Sequence, residues 1–237
     1  MDNLGDRIKG YESVSTKNFI PKIPIIVRVD GRAFHTWTKQ NKCIAPFDYR
    51  LISTKYLAAE QVALDSGAVA FYSQSDEVTF LYLDDQTIQT QQWFGGRQSK
   101  IESISAAAMT AHFNLLWMRS SFNFRSAEES FEYLKNKPAM FDARAFQCPK
   151  NDVANVFLWR VRDWERNSLN MYCGSYFSSK QLAGKKAAER HEMLHRIGKN
   201  WADLPDLAKN GMFWHKDKGF NMGKMAGYDD INEFLGI

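Results

Sequence analysis

The chain has 237 residues, a net charge of +4, and 44% hydrophobic and 24% charged residues, which suits a folded protein of one large domain or a core with a sizeable appendage and excludes a disordered or fibrous chain. Three widely spaced cysteines, Cys43, Cys148 and Cys173, form neither a disulfide framework nor a cysteine metal motif, and no apolar run approaches transmembrane length. The mild basic surplus permits nucleic-acid binding without demanding it, and the start Met1-Asp2-Asn3-Leu4 lacks a secretory pattern, so a cytoplasmic protein is expected.

In chain order, residues 3–14 read as a short charged helix. Pro21 and Pro24 punctuate the entry to a first strand over 24–30. A basic polar segment from Thr36 to Lys42 precedes a helix over 47–66, whose apolar stripe is read as Leu51, Leu57, Ala58, Val62 and Leu64. Gly67 then stops the helix before a strand over 68–73, a tight polar turn, and a strand over 77–83. Residues 97–118 form an Ala-rich helix, and a strand is expected around 143–147. The order strand, helix, strand, strand, helix, strand predicts an α+β fold, a ferredoxin-like antiparallel sheet with two helices on one face, as in polymerase palms and nucleotide cyclases. From Asn151 the pattern is helical over 151–163, 165–179 and 184–197, with Asp152 as an N-cap, and the tail from Trp201 reads as loop-rich. Residues 1–150 are therefore expected to be a palm-like core, with 151–237 packed on it.

Two acidic segments end strand-like runs: Val29-Asp30-Gly31 and Ser75-Asp76-Glu77. Taken singly, each is equally a hairpin turn. In the split β-α-β order, however, adjacent central strands bring Asp30 and Asp76 together. Converging carboxylates suit Mg²⁺, which is commonly held by one or two carboxylates plus substrate phosphates, and so point to phosphoryl or nucleotidyl transfer. An incoming triphosphate also needs cations. Arg28, Arg32, Lys39 and Lys42 lie near the first segment, and Arg97, Ser99 and Lys100 open a helix whose free N–H groups favour phosphate. A solvated basic face is the plainer alternative for all of them. His191-Glu192-Met193-Leu194-His195 matches a zinc-protease pattern, but no third ligand is near in sequence and such a helix would leave Asp30 and Asp76 unused.

The segments Arg28-Val29-Asp30-Gly31-Arg32-Ala33-Phe34-His35, Tyr72-Ser73-Gln74-Ser75-Asp76-Glu77 and Arg97-Gln98-Ser99-Lys100, extended by Phe141-Asp142-Ala143-Arg144 and Trp159-Arg160-Val161-Arg162-Asp163, resemble the tRNA-His guanylyltransferase family. Its members are reverse polymerases that add nucleotides to the 5′ end of RNA. The resemblance implies two Mg²⁺ ions held by Asp30, Asp76 and the backbone carbonyl of Gly31, with Glu77 beside them as a third catalytic carboxylate. It further implies that residues 30–35 (Asp30, Gly31, Arg32, Ala33, Phe34, His35) and Ser75-Asp76 line the nucleotide site, and that Arg28, Arg97 and Lys100 meet phosphates. ATP and GTP are the implied substrates, tRNA the implied partner and a homotetramer the implied assembly.

Two positions depart from the family pattern. Where eukaryotic members carry His-Ile-Asn-Asn, this chain has Glu165-Arg166-Asn167-Ser168, keeping only Asn167 as a nucleotide-site residue. Ala45 stands where a lysine commonly precedes Pro46-Phe47-Asp48. These features resemble the guanylyltransferase-like branch of template-dependent tRNA 5′-end repair enzymes. A palm-fold nucleotide cyclase acting on GTP alone and a non-catalytic RNA-binding homologue are the rival readings.

Overall fold

The structure is a computed structural model and describes residues 4–120, 126–225 and 227–237. Helix α1 (Leu4–Val14) has no buried residue and leads to β1 (Ile25–Gly31). After a short helix α2 (Phe34–Gln40) comes α3 (Tyr49–Ser66). The buried Asp48 side chain caps α3 by accepting from the N–H groups of Arg50 (3.0 Å) and Leu51 (3.1 Å). Gly67 ends the helix in the left-handed region, φ 75°. The hairpin β2 (Ala70–Gln74) and β3 (Glu77–Tyr82) follows, then α4 (Gln98–Ser120), α5 (Ala127–Asn136) and β4 (Phe141–Gln147). Helix α6 (Val153–Gly174), short helices α7 (Ser179–Leu182), α8 (Ala187–Arg196) and α9 (Asp206–Lys209), strands β5 (Met212–His215) and β6 (Gly219–Asn221), and α10 (Tyr228–Leu235) complete the described chain.

One antiparallel sheet runs in the order β4-β1-β3-β2-β5-β6. Its first four strands have the split β-α-β arrangement expected from the strand–helix order. Side chains alternate faces along each strand. Val27, Val29, Val78 and Phe80 point to the side covered by α3 and α4, in a core with Ala58, Val62, Met109 and Phe113. Ile26, Tyr72 and Leu81 point to the other side, covered by Phe157 and Val161 of α6 and Ile231 and Leu235 of α10. The same alternation sends Arg28, Asp30, Glu77, Asp142 and Arg144 to the α6 side.

Four expectations are corrected. Helices α2 and α5 stand where none was expected; α2 has only seven residues and starts from Ala33 in the left-handed region, φ 53°. Strands β5 and β6 occupy the tail read as loop-rich, because Met212–His215 is buried throughout and a run so short shows no alternation. The expected break between 163 and 165 is absent: no Gly or Pro interrupts α6 before Gly174, and Trp164 at the supposed break is buried. Leu57 and Leu64 of α3 are exposed, whereas Lys55 takes a buried position between Leu51 and Ala58. Asp152 does occupy the N-cap of α6, but its Oδ1 accepts from Asn155 Nδ2 (2.8 Å) instead of from the helix backbone.

Candidate active site

Asp30 lies opposite Glu77 on β3 and opposite Asp142 on β4. The N–H of Gly31 donates to the carbonyl of Asp76 at 3.1 Å, stitching the end of β1 to the β2–β3 turn. This turn is tight, with Ser75 at φ 43°, and its Oγ donates to Asp76 Oδ1 (2.9 Å). Ala33 and Ser75 are non-glycine residues in the left-handed region on either side of the acid pair, a conformation costing about 1 kcal/mol or more each and concentrated at functional sites. A Cβ on Gly31 would lie 2.3 Å from the Phe34 ring, so this close approach requires glycine.

Asp30 has no hydrogen bond or ion pair on its carboxylate among the described residues. Burial first, then the charges of Asp76, Glu77 and Asp142, raise its pKa from 3.8 to about 6, with Arg144 opposing. Such uncompensated negative charge fits a divalent cation. Among the described residues no group of three or more His, Cys, Asp or Glu side chains is arranged to hold a metal ion. The pair Asp30 and Asp76, with nearby backbone oxygen, is thus what the fold offers, a donor set matching an ion completed by substrate phosphates.

Glu77 is placed differently from Asp30 and Asp76. Arg160 of α6 donates Nε to Oε1 (2.6 Å) and Nη2 to Oε2 (2.9 Å), and Arg28 Nε lies 3.6 Å from Oε2. Two guanidinium groups therefore occupy this buried carboxylate, which anchors α6 to β3.

Beside the acid pair opens a cleft of about 490 Å³ between α2, the start of α3, the β2–β3 turn and α6. Its walls are largely apolar, with Ile52, Pro46, Phe47 and Trp164, and its polar side chains include His35, Thr38, Lys39, Asp48, Lys55, Tyr56, Gln74, Ser75, Asp76 and Ser175. An apolar slot with a few convergent polar groups suits a planar base. Lys55 is fully buried; its ammonium donates to the carbonyl of Ser75, and burial lowers its pKa from 10.5 to about 7 against the pull of Asp76 and Glu77. Cys43 also lines the cleft, but burial, then Asp48, raises its thiol to about 11, so it is a poor nucleophile.

A family model for tRNA-His guanylyltransferase (Thg1) matches residues 5–149. The chain belongs to the tRNA-His guanylyltransferase family. It is accordingly a nucleotidyltransferase. It is similar to the tRNA(His) guanylyltransferase of Schizosaccharomyces pombe, 26% identical over 225 residues, covering 89% of this chain and 79% of that protein. Among solved structures it superposes on a bacterial tRNA(His) guanylyltransferase-like protein in complex with ATP (TM-score 0.87, 33% identity, 99% of this chain and 98% of that one). A bacterial guanylyltransferase-like protein in complex with GTP gives a TM-score of 0.77 at 29% identity, covering 99% of this chain and 98% of that one.

Within this family chain, the structure brings His35, Ser75 and Asp76 to the cleft wall, with Asp30 and Gly31 beside Asp76 but outside that lining. Arg32 and Ala33 are exposed on the turn into α2, and Phe34 is mostly core, its ring 5.0 Å from Trp37 and 5.2 Å from Phe141. Asn167 lies on α6 but is not among the residues that line the cleft; its Nδ2 donates to Asp163 Oδ2 at 3.2 Å. Arg97 and Lys100 are not brought to Asp30 within one chain. The start of α4 sits on the opposite sheet face, bonded through Gln98 to Lys17 and to Ala145, toward the far end of β4. His191 of α8 packs against Trp201 at 5.9 Å between ring centroids.

Asp142, Arg160 and Lys55 were not picked from the sequence as site residues. The first depends on strand register. Lys55 did leave a signal, a lysine within the apolar stripe of α3 at i+4 from Leu51 and i−3 from Ala58.

Proposed function

We propose that this enzyme adds nucleotides, GTP preferred, to the 5′ end of tRNA in the 3′→5′ direction after activating that end with ATP. The observation that carries the reading is the unpartnered carboxylate of Asp30 beside Asp76 at the mouth of a base-sized cleft. Asp30, Asp76 and the Gly31 carbonyl would hold two Mg²⁺ ions, which when bound neutralise triphosphate charge and activate the attacking oxygen. The cleft seats the purine, and the ammonium of Lys55 fixes the Ser75 carbonyl so that the turn carrying Asp76 keeps its shape. Chemically, the RNA 5′-phosphate attacks the α-phosphate of ATP and releases pyrophosphate; the 3′-hydroxyl of GTP then displaces AMP.

Template-dependent 5′-end repair is the favoured form of this activity, since Glu165 and Arg166 stand where the family's eukaryotic members carry His-Ile. In this fold Arg166 pairs with Asp163 on the exposed side of α6, and Glu165 turns a buried Oε1 toward Lys224 at 2.9 Å. We also propose a cytoplasmic homotetramer. Exposed Leu57 and Leu64 on α3 and Ile104 and Leu115 on α4 leave apolar surface that assembly would cover.

The test is incorporation of labelled GTP into 5′-truncated tRNA with ATP and Mg²⁺, with and without a pairing base opposite the gap. Incorporation that requires the pairing base, and that Asp30→Ala abolishes with folding intact, is expected. No incorporation on any tRNA overturns the reading, and a cyclic product from GTP alone would replace it with a cyclase.

A further inference from the structure

On the α6 side of the sheet two rungs of like charge lie next to each other. Asp30 faces Asp142 across β1 and β4, and two residues earlier Arg28 faces Arg144. Directly opposed like charges disfavour a strand pair, so each rung is at ease only with a counter-charge. The acidic rung suits a cation. The basic rung, about 7 Å along the strand, suits an anion, and little within the chain supplies one to Arg144. Its nearest carboxylate oxygen, on Asp142, is 3.9 Å away, with the two side chains 56% and 61% exposed. Such a pair contributes next to nothing.

Beside this rung stands Trp159 of α6, a large aromatic left 56% exposed. Arg160 and Arg28 bring their guanidinium carbons to 4.6 Å and 5.7 Å from its ring centroid. Both cations are tethered to the same Glu77, so the indole has a fixed, positively charged backing and a free outer face. A rigid ring beside an unmet cation, one pleat from a nucleotidyl-transfer centre, has the two parts needed to hold a single nucleotide: a stacking platform and a phosphate contact.

We propose that Trp159 and the Arg28–Arg144 rung seat the 5′-terminal nucleotide of the RNA substrate, its base stacked on the indole and its phosphate on Arg144. The proposal rests on reading the chain as an RNA 5′-end nucleotidyltransferase and identifies where that end lands. It also separates two nucleotide sites. The incoming triphosphate uses the cleft lined by Trp164, and the RNA end uses the opposite flank of the acid pair, under Trp159.

The experiment is fluorescence anisotropy with a 3′-fluorescein-labelled RNA hairpin carrying one unpaired 5′ nucleotide, with or without a 5′-phosphate. Trp159→Ala is expected to weaken binding about tenfold or more and Trp159→Phe to restore it to within about threefold, the range of base–aromatic stacking. Arg144→Ala should erase the preference for the 5′-phosphorylated hairpin and lower the salt slope by about one. Binding of a fluorescent GTP analogue should stay unchanged in all three variants. Wild-type affinity in Trp159→Ala overturns the proposal. So does a wild type that does not bind the hairpin, or a Trp159→Ala defect that sedimentation traces to a changed oligomeric state, which would give the indole to a second copy of the chain. Hairpin binding without any nucleotide incorporation would instead defeat the enzymatic reading, and the titrations would still decide the seat.

Discussion

Arg160 grips Glu77 with two hydrogen bonds, at 2.6 Å and 2.9 Å, joining the long helix over the sheet to the strand that carries the acidic turn. Both side chains are nearly buried, 9% exposed each. Breaking such a pair from one side strands a charge, whereas replacing both partners by apolar groups of similar size is often nearly neutral. Arg160→Met should therefore lower unfolding stability by about 3 kcal/mol, and the double variant Arg160→Met/Glu77→Met should recover a good part of that loss. Chemical denaturation of the three proteins measures it. Equal losses in the single and double variants would count against the clamp.

Asp30 should trade stability for activity. Its raised pKa means that between 3.8 and about 6 the folded chain binds more protons than the unfolded one, so its contribution to stability falls as pH rises through that window. Above pH 6 the cost is fully present, about 1 kcal/mol after allowing for solvent screening of a partly exposed group. Asp30→Asn should melt higher than wild type near pH 7.5, match it near pH 4, and lack turnover. Added Mg²⁺ should raise the melting temperature of wild type more than that of Asp30→Asn.

For Lys55 the direction is reversed. Its folded pKa of about 7, against 10.5, means the unfolded chain binds more protons between those values, and stability rises with pH across them. Below pH 7 the cost of a buried ammonium is complete. Lys55→Met should be more stable than wild type near pH 6, with the advantage fading toward pH 10, yet slower in turnover because the Ser75 carbonyl loses its donor. Melting curves across that range compare the two proteins.

Gly31→Ala tests the closeness of β1 to the first turn of α2. The added methyl would meet the Phe34 ring at 2.3 Å, and that ring is hemmed in by Trp37, Phe113 and Phe141. Overpacking of this kind costs about 1–3 kcal/mol. Nucleotide addition should drop at least tenfold, since Asp30 immediately precedes the displaced residue. A variant with wild-type melting and turnover would show that the turn has slack.

Much of the palm was legible because its signals are local. Ile25–Val29 and Val78–Tyr82 are strongly apolar runs, Gly67 stops a helix, and the Ala-rich run from Ser105 to Met109 continues another. Convergence of Asp30 with Asp76 followed from strand order alone. What was not legible depends on partners distant in sequence. Asp142 faces Asp30 only through the β1–β4 register, and Arg160 reaches Glu77 across 83 residues. Lys55 is buried although its neighbours Leu57 and Leu64 are exposed, because the helix phase is fixed by what α3 packs against and not by its hydrophobic count. The separation of Arg97 and Lys100 from Asp30 is likewise a matter of which end of the sheet α4 starts from.

The strand β5 carries a consequence for how the protein is made. Strand β2, with every residue buried, takes its outer hydrogen bonds from Met212–His215, and Tyr72 donates its hydroxyl to the carbonyl of Asn210 at 2.8 Å. Until some 140 residues beyond β2 have left the ribosome, that strand presents a bare, apolar edge open to any other extended chain. Synthesis of this enzyme thus passes through a long interval in which the nascent sheet must be shielded. Nonsense or frameshift products ending before Met212 should be sticky and quickly cleared, even though Asp30 and Asp76 are already in place.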